Sequence, residues 1–165
     1  MRLGGFLAVA TVSGGVTALG WAEEVEVRGS GPEPVLDAYR RATEQRIGDP
    51  DQAIYSERSR QFMARRGGTE RRMANSARSL NRCSLDERAE QGDRAVIYGP
   101  VSERRCPPYC FVHEDGRWRL DLATMARSIR MNQKNQWRLT MGESSPYWLT
   151  FDDWELSDNG FPLSH

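Results

Sequence analysis

Cys106-Pro107-Pro108-Tyr109-Cys110, with His113 three residues further on, is the sharpest chemical cluster in the chain. Thiolate sulfur and imidazole nitrogen are donors that Cu(I) and Zn prefer, so Cys106, Cys110 and His113 closing on one ion would make a metal centre. The same cysteines can instead be scaffold. Cys83 is the third, so one disulfide can form in three ways and one thiol is left over. A bridge from Cys83 to Cys106 or to Cys110 would tie the helical half to the strand-rich half. It would close a loop of about 25 residues and stabilise by about 3 kcal/mol through loop entropy.

Acid–base chemistry has fewer candidates. His113, Asp121 and the pair Asp152-Asp153 are the ionisable side chains near expected strand ends. A general base needs reach to its substrate as well as a tuned pKa. Adjacent Asp152 and Asp153 would point to opposite faces of a strand, so they are not a shared-proton dyad. His113 and His165 are the only histidines, which leaves no Ser-His-Asp arrangement. Phosphate loops, dinucleotide fingerprints and paired-histidine zinc helices are absent from the sequence, so no cofactor is expected. Binding is then the function the chain is best equipped for. Trp118, Trp137, Trp148 and Trp154 all fall in the strand-rich half. Tyr39, Trp118, Trp137 and Trp148 are the candidates to line a hydrophobic mouth for a small apolar ligand or a protein partner.

The elements that must position these residues fall in a simple order. Pro34 opens a helix whose Val35, Ala38, Tyr39 and Ala42 share one face, and Gly48 stops it. Asp49-Pro50-Asp51-Gln52 carries the signature of a second helix start, with Ile54, Tyr55 and Phe62 apolar and Gly67-Gly68 at the end. A third helix is predicted from Thr69 to about Asn81. The period then changes. Ala95 to Tyr98 reads as a strand, and Tyr109–His113 with Arg117–Leu122 as a hairpin turned at Glu114-Asp115-Gly116. Ala123 to about Asn132 looks helical again. Trp137–Met141 and Tyr147–Trp154 read as strands, with Asn159-Gly160 as a last turn. Helices first and antiparallel strands later give an α+β class: N-terminal helices packed on a curved, mostly antiparallel sheet.

A leader precedes this domain. Arg2 is followed by an apolar run from Leu3 to Val16, and Gly20 and Ala22 suit a signal-peptidase cut before Glu23. The organisation expected is a signal peptide over 1–22, a polar linker over 23–33 and one α+β domain over 34–165, exported to the periplasm or secreted. Left uncleaved, the leader would serve as a membrane anchor.

Charge sets further bounds. The full chain carries 23 basic and 23 acidic side chains. That balance gives no global attraction to nucleic acid or anionic lipid. Lys134 is the only lysine. Eight arginines from Arg58 to Arg82 face only Glu57 and Glu70, whereas beyond Arg138 every charged side chain is an acid. Such runs are read as solvated faces, which can attract one another within the domain or across a homodimer. Only Phe62 interleaves the arginines, so a base-stacking groove is not expected.

The order of elements resembles the nuclear-transport-factor-2-like superfamily of cone-shaped α+β domains. The opening helix from Pro34 to Ala42, the break at Gly48-Asp49-Pro50-Asp51, the helix through Ile54-Tyr55 to Phe62 and the hairpin Asp115–Leu120 carry the resemblance. It implies a cavity between helices and sheet, and a superfamily that includes isomerases, dehydratases and many non-catalytic binding domains. The segment Ala123–Asn132 departs from the pattern by placing a helix between strands. The Cys-x-x-x-Cys spacing with a later histidine also looks like the motif of extracytoplasmic copper-delivery proteins. Those sit on thioredoxin folds, whose parallel βαβ pattern is missing here.

Overall fold

Helix α1 (Pro32–Glu44) begins where Gly31, at φ 108°, turns the chain and prolines fill the first turn. Val35, Leu36, Ala38, Tyr39 and Ala42 are all buried on its inner face. The computed structural model describes residues 24–140, 145–147 and 154–163. The leader, Trp148, Asp152, Asp153 and most of the strand expected over Tyr147–Trp154 lie outside the described residues.

Helix α2 (Glu57–Arg66) is capped by Ser56, whose Oγ accepts from the Ser59 N–H at 3.2 Å. The helix starts later than the Asp49-Pro50 signature predicts, for a specific reason. The Asp49 carboxylate accepts from the Asp51 N–H at 2.9 Å, and the Gln52 side-chain oxygen accepts from the distant Val25 N–H at 2.7 Å. Ile54 and Tyr55 then turn into the core instead of joining a helix, and Tyr55 makes a parallel bridge with Leu120. Tertiary contacts here override a local start signal. Helix α3 (Glu70–Leu80) is capped by Thr69 and buries Met73 and Leu80. Between these helices two backbones touch: a Cβ on Gly48 would lie 1.9 Å from the Gly68 carbonyl oxygen, and one on Gly68 equally close to that of Gly48.

Four strands form an antiparallel meander: β1 (Glu87–Gln91), β2 (Arg94–Tyr98), β3 (Tyr109–Glu114) and β4 (Arg117–Leu120). The β3–β4 turn is Asp115-Gly116, both left-handed at φ 51° and 76°. That is the geometry a two-residue hairpin prefers. Alternation sends Ala95, Ile97, Tyr109 and Phe111 toward the helices, where they join Leu120 in the main core. Val96 and Cys110 face the other way and pack with Tyr147, flanked by Tyr98, Met125 and Trp154. Both faces of the sheet are therefore covered at its centre.

Helix α4 (Leu122–Ser128) is shorter than the sequence pattern predicts. At Ile129 the backbone becomes extended, and β5 (Ile129–Met131) pairs with β6 (Trp137–Leu139). Asp121 caps α4 by accepting from the Thr124 N–H at 3.0 Å. Its other oxygen accepts from the Tyr147 hydroxyl at 3.0 Å. The turn at Asn159-Gly160 is present, with the Gly160 N–H on the Ser157 carbonyl. No described helix is long and apolar enough to cross a membrane.

Candidate ligand groove

Trp118 owes its position to the hairpin. Register places it opposite His113 across β3 and β4, and the two rings meet edge-on at 5.2 Å. The indole is half-buried: it packs on the core from one side and stays open on the other. Beside it opens a groove of about 690 Å³.

The opposite wall is the segment leading into α1. The sequence reads 23–33 as a linker, but α1 already begins at Pro32, and the residues from 24 to 31 are docked. Val25 is buried, Val27 packs on the core, and Arg41 donates to the Glu26 carbonyl at 2.6 Å. Gly29 and Gly31 have φ of 119° and 108°, values that side-chain-bearing residues rarely adopt. With Ser30 between them they bring the backbone up to the groove. Val35 and Ala53 add apolar surface to the lining.

Arg88 and Arg117 lie at the border of the groove. Arg88 is held by Glu33 at 2.9 Å and by Glu90. Arg117 is exposed. The arrangement offers an aromatic wall, an imidazole, apolar side chains and one exposed guanidinium, that of Arg117, within one concavity. Chemically it suits a small ligand with a flat apolar body and an acidic group.

The other sequence candidates are dispersed. Tyr39 is buried in the main core, its ring 6.2 Å from that of Tyr55 and 6.1 Å from that of Tyr109. It reaches a separate cavity of about 240 Å³ between α2 and α3. Trp137 is 2% exposed and packs on Trp154, which in turn meets Tyr98. Trp118 and Tyr39 therefore line different openings, and Trp137 serves the packing of the second sheet face.

The cysteine cluster comes apart as well. Cys106 is bonded to Cys83, and Cys110 is free and buried. Cys110 and His113 are three residues apart on one strand, so they point to opposite sheet faces. The donor set Cys106, Cys110 and His113 does not converge, and no three His, Cys, Asp or Glu side chains among the described residues are placed to hold a metal ion. Burial, with the nearby Asp121 charge second, pushes the Cys110 thiol up. A thiol held protonated is a poor nucleophile and a poor metal ligand. Asp121, the remaining described acid–base candidate, is committed to its helix cap and to Tyr147.

Sequence reasoning passed over Gly29, Gly31, Arg88 and Arg117. The Gly-Ser-Gly-Pro run was a readable turn signal, but nothing local showed that it folds back against the hairpin. Comparison of the chain with family models, curated proteins and solved structures finds no match.

Proposed function

We propose that this chain is an exported, non-catalytic α+β module that binds a small amphipathic ligand in the Trp118 groove. In broad design it follows the helix-on-sheet domains of the nuclear-transport-factor-2-like kind. The observation that carries the reading is the half-exposed Trp118 indole forming one wall of a groove of about 690 Å³ with the exposed Arg117 at its border. Of the other candidates, Cys110 and Asp121 are buried in structural roles away from this groove.

The test uses 1-anilinonaphthalene-8-sulfonate, a probe with a flat apolar body and one sulfonate. The parent protein is expected to bind it in a single saturable event that quenches tryptophan fluorescence. Trp118→Ala weakens that binding by about tenfold, equivalent to 1.4 kcal/mol, while near-ultraviolet circular dichroism from the other aromatics persists. Unchanged affinity in Trp118→Ala would remove the groove from consideration.

A further inference from the structure

We propose that a second concavity, over the Cys83–Cys106 disulfide, is a binding site for ligands bearing two or more closely spaced phosphate or sulfate groups. The cleft has a volume of about 670 Å³ and lies on a different set of elements from the Trp118 groove. Three segments distant in sequence build it: the end of α3, the loop ahead of β3, and the β5–β6 turn.

Its charge is the first argument. Among the described residues, Arg78 and Arg82 come from the end of α3, Arg105 from the loop and Lys134 from the turn, against one acid, Glu103. That is four cations to one anion in a chain whose totals are equal. Like charges gathered around a concave surface focus potential and raise the local concentration of counter-charged ligand. Arg78 and Arg82 also complement the carboxyl end of α3. Arg105 and Lys134 have no such helix to serve, so helix capping does not explain the cluster.

Partnering is the second argument. Among the described residues, the ion pairs are made by Arg28, Arg46, Arg60, Arg88 and Arg94, none of which lines this cleft. Arg78 donates to the neutral Asn75 side chain. Arg82, Arg105 and Lys134 are exposed, and their charge is left for a ligand. Asn75, Ser79 and Asn135 add neutral hydrogen-bonding groups to the lining.

The third argument is that the walls are fixed before anything binds. The disulfide ties the end of α3 to the loop, with Cα atoms 5.4 Å apart. The loop is tied to β6 by the Trp137 N–H on the Arg104 carbonyl at 2.8 Å. The β5–β6 turn is pinned by the Asn132 carboxamide, which accepts from both the Lys134 and the Gln136 N–H at 2.9 Å. A site held in place loses little freedom on binding, which favours compact, highly charged ligands. Among the described residues no aromatic side chain lines the cleft, and Met131 is its one large apolar residue. Base stacking is thus unsupported, and the ligand is a small polyanion and not a nucleic-acid strand.

Isothermal titration with inorganic tripolyphosphate, and separately with sucrose octasulfate, tests the site and tells phosphate from sulfate sources. One site per chain is expected for at least one of them, weakening steeply with salt. Arg82→Ala/Arg105→Ala, both exposed positions, weakens it by about tenfold or more and flattens the salt dependence. Arg58→Ala/Arg65→Ala removes the same net charge from the exposed side of α2 and leaves binding within about twofold, as screening at a distance requires. Absence of binding by both probes, or equal losses in the two double variants, would overturn the assignment. The fluorescence titration at Trp118 is independent, so either site can fail without the other.

Discussion

Removing the Cys83–Cys106 bridge is the perturbation whose size the structure sets most directly. The bonded residues are 23 apart in sequence. With that loop length, the chain-entropy relation gives about 3.4 kcal/mol of destabilisation on opening the bridge. Spread over the unfolding entropy of a chain of 165 residues, this corresponds to a fall in Tm of about 10 °C. The variant is Cys83→Ala/Cys106→Ala, since the buried Cys106 is better replaced by an apolar residue than by serine. Thermal unfolding followed by far-ultraviolet circular dichroism is the assay, with the parent measured both with and without reductant. Reduced parent and double variant are expected to fall together. A drop under about 3 °C would refute the entropic argument, because the loop term alone exceeds that. A peptide map showing Cys110 in the bridge would refute the pairing itself.

Three further outcomes follow from features of the core. Gly48→Ala and Gly68→Ala should each cost about 1–3 kcal/mol in urea unfolding, the usual range for forcing atoms into filled space, because each methyl would meet a backbone carbonyl at 1.9 Å; their double variant should cost less than the sum, since one separation relieves both clashes. Asp121→Ala should cost about 2–4 kcal/mol by losing a helix cap and a buried hydrogen bond to Tyr147, and Tyr147→Phe less, so equal costs would show that the cap contributes little. Burial raises the titrations of Cys110, Tyr39, Tyr55, Tyr109 and Tyr147 above ordinary values of 9.0 for the thiol and 10.0 for the phenols. The folded state then keeps protons that the unfolded chain sheds, so stability is full below about pH 9 and declines as pH rises beyond it. Denaturant midpoints measured from pH 7 to 11 check this, and Cys110→Ser should delay the onset.

Where the sequence was legible, a residue's environment was decided by its near neighbours. Val35, Ala38, Tyr39 and Ala42 recur at helical spacing, and all four are buried on α1. Asp115-Gly116 can adopt two successive left-handed conformations, and it forms the tip of the hairpin. Other features depended on partners far away. β1 escaped notice because Glu87, Arg88, Glu90 and Gln91 leave no buried face to generate alternation. The break between α4 and β5 is fixed by pairing with β6, which no residue in Ala123–Asn132 announces. The cysteines left Cys106 and Cys110 equally open to Cys83. Strand parity resolved them, since Cys110 lies inside β3 and faces Tyr147 while Cys106 lies ahead of the strand. The Trp118 groove was half legible, because the indole could be named but the Gly29–Gly31 wall reaches it only through the docking of Val25 and Val27.

The charges that hid β1 have a consequence for how copies of this protein meet. An open sheet exposes backbone donors and acceptors at its margins, and a neighbouring chain can add a strand there. At one margin the β4 backbone is already engaged, with Leu120 exchanging hydrogen bonds with Ile54 and Ser56. At the other, a docking strand would have to lie along Glu87, Arg88 and Glu90 and desolvate them. Among the described residues, self-association by extending the four-stranded sheet is therefore disfavoured at both margins. Joining through the four-stranded sheet is thus an unfavourable route for two copies, and association elsewhere on the molecule is expected instead.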